Sequence, residues 1–355
     1  MMRKRLIAGI LAGCWLSCAA ITASASNLQL DCGALIIDAQ YQDTGVKALP
    51  VLKATLSTAL NQQTDRINEW LTPWLFGESI ELNLLVEQWA GESLYAKYYC
   101  AAEGQQEGYV NMVYYDGTVG GSRDDKAVYI DGIEPYYLVS SYKNPRLACA
   151  ELDFMPADEA QRLAQTVING IGFEQESILY QADAYSLTPG EGRRVYGNAA
   201  DYAAALMQTG AECYVFTYRF QYMGIPLASF KQYFPTMDSF TVGPCIQVIW
   251  NQRGLVSLWA HEVLEICEVS QPYSLIALDQ AIETVAQRRS EYLGMGPAYC
   301  KEVALEYLPL PYVGGAVERD AQIVPAWAFY WTDDPSDTAT FNIWYVNAIN
   351  GQIVE

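Results

Sequence analysis

Apolar positions recur along the chain with two periods, and the switches between them mark the elements. Ala160, Leu163, Ala164, Val167, Ile168 and Ile171 fall at helical spacing and form one stripe. Pro156 suits the first turn of that helix, where a missing N–H costs nothing, and Gly170 is placed to end it. Leu278, Ala281, Ile282, Val285 and Ala286 make a second stripe behind a Ser274 cap. A further stripe of Leu60, Ile67, Trp70, Leu71 and Trp74 follows Ser57, and a helix is expected over Asn198–Gln208.

Elsewhere the pattern is that of strands. Leu35–Ile37, Pro50–Thr55, Ser93–Ala101, Gly108–Tyr115, Lys126–Ile130 and Ser177–Ala184 read as extended. In Cys213–Tyr222 the residues Tyr214, Phe216, Tyr218 and Phe220 share one face. Ile246–Trp250 and Leu255–Ile266 form a hairpin about Asn251-Gln252-Arg253-Gly254. Cys300–Leu308, Pro325–Trp331, Phe341–Ile349 and Gln352–Val354 follow, the last two joined by the Asn350-Gly351 turn. Asp116-Gly117 and Gly120-Gly121 are read as turns.

A helix followed by strands, closing on a hairpin with an Asn/Gly turn, thus occurs twice in the second half. The expected fold class is α+β, with each helix lying on an antiparallel sheet. The expected division is a leader over residues 1–26, an N-terminal α+β domain over 27–152, and two similar units over 153–269 and 270–355.

Composition sharpens the compartment. Arg3-Lys4-Arg5, the apolar run Leu6–Ala20 and the small residues Ala23-Ser24-Ala25 have the anatomy of an export signal cut after Ala25, which leaves Ser26 as the new terminus. Leu11-Ala12-Gly13-Cys14 offers a lipid-anchored alternative through Cys14, but Trp15-Leu16 rather than a polar tether follows it. No later stretch has the ~20 apolar residues of a membrane span. The chain is 51% hydrophobic, so its 355 residues can bury sizeable cores. Its net charge of −20 becomes −23 once Arg3, Lys4 and Arg5 are removed, a field that repels nucleic acid and anionic membranes.

Candidate chemistry is sparse. Of nine cysteines, Cys14 and Cys18 lie in the leader. Cys32, Cys100, Cys149, Cys213, Cys245, Cys267 and Cys300 remain, an odd number at irregular spacing that fits either unpaired thiols or one or two bridges. The single histidine opens His261-Glu262-Val263-Leu264-Glu265, which lacks the second histidine of a zinc-protease helix. It also reads as strand, where residues four apart stand ~13 Å apart. No Gly-x-Ser-x-Gly elbow is present, Gly120-Gly121-Ser122 reads as a turn, and Gly190-Glu191-Gly192 has no flanking strand and helix. Glu302 and Glu306 are the carboxylates considered for hydrolysis, and their alternation with Val303, Leu305 and Tyr307 places them on a solvated face. The residues therefore nominate no catalytic, cofactor-binding or metal-binding group, and no cofactor.

One resemblance rests on short structural motifs. Tyr218-Arg219-Phe220-Gln221-Tyr222-Met223-Gly224-Ile225-Pro226-Leu227, with Ile246-Gln247-Val248 and Gly254-Leu255-Val256, resembles PepSY and thermolysin-propeptide-type domains. Leu305–Pro309, Pro325-Ala326-Trp327 and Tyr345–Gly351 resemble the same superfamily. Two such units behind an export segment are similar to YycH/YycI-type regulators. That resemblance implies a non-enzymatic, extracytoplasmic protein whose partner is a protein or peptide, such as a sensor kinase ectodomain or a protease. The alternatives are a secreted glycan binder using the tyrosines of the N-terminal block, among them Tyr95, Tyr98, Tyr99 and Tyr109, and a carboxylate hydrolase.

Overall fold

The computed structural model describes residues 24–56, 64–76, 82–90, 93–101, 109–113, 118–122, 151–173, 178–187, 213–228, 231–234, 239–242, 244–261, 263–292, 295–310, 320–336 and 342–354. Four strands come first: β1 (Ser24–Asp31), β2 (Leu35–Asp43), β3 (Ala48–Leu49) and β4 (Leu52–Leu56). Helix α1 (Thr64–Phe76) leads to β5 (Leu82–Ala90), β6 (Ser93–Ala101), β7 (Tyr109–Val113) and β8 (Thr118–Ser122). Helix α2 (Ala157–Ile171) leads to β9 (Ile178–Leu187), β10 (Cys213–Tyr222) and the short β11 (Ile225–Pro226). The hairpin β12 (Lys231–Phe234) and β13 (Ser239–Val242) precedes β14 (Cys245–Asn251) and β15 (Gly254–His261). After β16 (Leu264–Val269) and β17 (Tyr273–Ser274), helix α3 (Leu278–Ser290) leads to β18 (Ala298–Pro309), β19 (Asp320–Thr332), β20 (Asn342–Asn347) and β21 (Ile353–Val354). The class is α+β, as the periodicity predicts.

Two large sheets carry the fold. The first runs β5-β6-β7-β8-β15-β14-β10, with β9 beside β10 and β11 at its end. The second runs β1-β2-β18-β19-β20-β21, with β4 beside the first residues of β19 and β16 beside β4. Pairing is antiparallel except between β2 and β18. Among the described residues each helix is followed by four neighbouring strands that lie in chain order in a sheet: β5-β6-β7-β8, β9-β10-β14-β15 (with β11, β12 and β13 intervening in sequence) and β18-β19-β20-β21. Among the described residues the plan of a helix and four such strands is traced three times. The first two copies join through their last strands, β8 and β15, so their strand orders mirror each other.

The helices sit where their stripes dictate. Ile67, Leu71 and Leu75 of α1 and Ala160, Ala164, Val167, Ile168 and Ile171 of α2 are buried in one core with Tyr214, Phe216, Tyr218, Ile246, Val248 and Trp250. Burying an isoleucine or leucine side chain contributes about 1.5–3 kcal/mol each. The two helices touch through Trp70, whose Nε1 donates to Val167 O at 2.9 Å, and Arg66, which donates to Gly170 O at 3.1 Å. The Tyr214 hydroxyl fixes the entry to α2, accepting from Leu152 N and donating to Met155 O, both at 2.7 Å.

Several expectations change. The sheets cross the division expected at residue 152: β1, β2 and β4 join the sheet of α3, whereas β5–β8 join that of α2. Periodicity marks an extended segment but does not choose its partner. Gly170 does not end α2; Gly172, in the left-handed region at φ 101°, does. Gly170 lies within the helix, where a side chain is excluded because a Cβ would meet the Trp70 ring. Ser274 does not cap α3, since it pairs with Ala48 in β17. Gln280 does so from inside, its Oε1 accepting from Ala277 N at 3.1 Å. Gly120-Gly121 is strand rather than turn, and a Cβ on Gly120 would strike Leu258 O of β15. The expected strand Leu255–Ile266 is two strands in different sheets, β15 and β16. β1 and β5 were not expected. The expected elements over Lys126–Ile130 and Asn198–Gln208 lie outside the described residues, as do Ser57 and Asp116-Gly117.

Candidate functional site

Where the two sheets meet, a charged cluster is buried. β10 brings Arg219, and the turn after it, with Met223 at φ 51° and Gly224 at φ 76°, returns β11 along its end. The next residue, Leu227, makes a parallel bridge to Tyr307 of β18, and Ala228 N donates to Tyr307 O at 2.7 Å. The Tyr222 ring meets the Tyr307 ring edge-on at 5.9 Å. The Tyr307 hydroxyl donates to Pro50 O at 3.2 Å.

Beside this seam, Arg219 Nη2 lies 2.9 Å from Glu306 Oε1, with the two side chains 11% and 0% exposed. Arg219 also donates through Nε and Nη2 to Leu227 O, at 3.0 and 2.7 Å. The Tyr330 hydroxyl donates to Glu306 Oε1 at 2.9 Å, and that of Tyr345 to Oε2 at 3.4 Å. Glu306 therefore does not stand on the solvated face expected of it. Its strand alternates correctly, but the face opposite the helix is covered, with Ala326, Ala328, Tyr330 and Tyr345 buried in a second apolar cluster. Glu302 is only half-buried.

The electrostatics describe a clamp. Burial, with the nearby Glu306 charge, raises the Tyr330 and Tyr345 hydroxyls well above the usual phenol range. Glu306, with no exposure, accepts from a guanidinium and two phenols, so its carboxylate is engaged in holding three strands to its own.

A second cluster closes the end of α3. Arg289, almost wholly buried, donates to Gly296 O at 2.8 Å, pairs with Asp333 and lies 4.9 Å from the Trp331 ring centroid. Trp331 packs on Trp344 at 4.4 Å, and Trp344 stacks on Tyr292 at 6.2 Å. Arg288 lies 5.6 Å from the Tyr292 centroid.

Among the described residues, those weighed in the sequence are not gathered into a reactive site; Cys149, Gly190-Glu191-Gly192 and Glu262 lie outside the described residues. His261 ends β15, and the His261–Glu265 segment is interrupted between β15 and β16 rather than helical. No group of three or more His, Cys, Asp or Glu could hold a metal ion among the described residues. Cys32 and Cys267 are exposed free thiols, Cys213 and Cys300 are buried free thiols, and Cys245 is buried. Burial pushes the Cys213 and Cys300 thiols up to about 12. Tyr95, Tyr98, Tyr99 and Tyr109 stand on β6 and β7, their side chains outside the described residues. The charged cluster was missed, although Arg219 interrupts an otherwise uncharged strand, Cys213–Tyr222.

Open sheet edges are the remaining surfaces of note. Among the described residues β1 pairs with β2 alone, β5 with β6 alone and β16 with β4 alone. No helix among them is long and apolar enough to cross a membrane.

No family model matches the sequence, and no curated protein does. Among solved structures the chain is similar to an uncharacterized protein from Eubacterium rectale, with 13% identity, a TM-score of 0.64 and 93% of each chain covered. The likeness is one of fold along nearly the whole length.

Proposed function

We propose that this chain is an exported, non-catalytic regulator that binds another protein or peptide at the cell envelope. A sensor kinase ectodomain and a protease are the partner classes the PepSY- and YycI-like motifs suggest. In this reading the α2 and α3 units are the two PepSY-like units, and cleavage after Ala25 leaves β1 nearly whole, from Ser26 to Asp31. The observation that supports binding most is that the chain already completes a sheet by strand addition. β2, which precedes every helix among the described residues, runs parallel to β18, with Leu35, Ile37 and Ala39 buried.

The test is a pull-down with the mature protein from the envelope of the cells that make it. Recovery of a kinase ectodomain, a protease or one of their segments supports the reading. Recovery of glycan alone would sink it. Mass spectrometry of the mature terminus decides between Ser26 and a lipidated Cys14.

A further inference from the structure

We draw no further inference here: the strongest candidate, the turn between β10 and β11 at the seam of the two sheets, where Met223 is both in the left-handed region at φ 51° and 55% exposed, carries nothing because nothing in the structure shows what covers it.

Discussion

The buried pair Arg219–Glu306 joins the two sheets, so its removal has a calculable cost. Arg219→Met leaves a carboxylate with no exposure and only two phenol donors, one of them at the long distance of 3.4 Å. Removing one partner of a buried pair costs about 3–5 kcal/mol, and with Arg219 only 11% exposed little solvent screening reduces that figure. Glu306→Gln keeps an acceptor for one tyrosine and leaves Arg219 bonded to Leu227 O, so its cost is lower, about 2–4 kcal/mol. The double variant Arg219→Met/Glu306→Leu removes both charges but also the carboxylate that accepts from the Tyr330 and Tyr345 hydroxyls. Measured against the singles Arg219→Met and Glu306→Leu, its loss is less than their sum by a coupling of about 2–3 kcal/mol, yet it is not zero. Adding Tyr330→Phe and Tyr345→Phe to the double recovers most of the remainder, since an all-apolar replacement leaves nothing unpaired. Urea unfolding of the wild type and of each variant gives these numbers. Hydrogen exchange locates the effect, with the Ala228 N–H at the seam losing protection before the amides of β14. A loss below about 1 kcal/mol for Arg219→Met, or additivity of the singles within about 0.5 kcal/mol, refutes the clamp.

Gly170→Ala gains up to ~1 kcal/mol of helix propensity but drives a methyl into the Trp70 ring, so a net loss of about 1–2 kcal/mol in urea unfolding is expected. The Cys213 and Cys300 thiols are raised from 9.0 to about 12, so the stability they contribute is present below pH 9 and lost as the pH rises towards 12. That loss amounts to at most ~4 kcal/mol for each thiol, and denaturation between pH 8 and 11 is shallower with pH in Cys213→Ala/Cys300→Ala. Under native conditions a thiol reagent modifies Cys32 and Cys267 and spares Cys213, Cys245 and Cys300, read by peptide mass mapping.

Local periodicity carried the elements it could. The α2 stripe and the aromatic face of β10 stand where their spacing put them, because each is fixed by residues within one turn or one strand. The hairpin turns were equally local: Asn251 and Asn347 accept backbone N–H groups of Arg253 and Ile349 through their side chains. Failures came where a distant partner decided the outcome. Ser274 has a good capping residue's chemistry, but pairing with Ala48 drew it into a strand. Gly120-Gly121 has a turn's composition, but Leu258 O lies so close that only glycine fits β8 there. Leu255–Ile266 is one apolar run, yet its halves pair with Gly120 and its neighbours in one sheet and with β4 in the other.

Glu306 shows the same limit at the site. Glu302 and Glu306 carry the same local signal, alternate carboxylates on a strand whose other face is apolar. Only Glu306 is buried, because Arg219 of the other sheet meets it and Tyr330 and Tyr345 of the neighbouring strands bond it. A charge that is stable in the interior needs such partners, and each comes from a different strand. The rule that alternation means solvent therefore fails where a second sheet lies across the polar face. Arg219 is the sequence's only hint of this: a cation amid Cys213–Tyr222, otherwise uncharged, must pair with an anion if its strand is central. The same cation lies within the Tyr218–Leu227 motif that suggested a PepSY-like unit, so part of what reads as a family signature is the seam between two sheets.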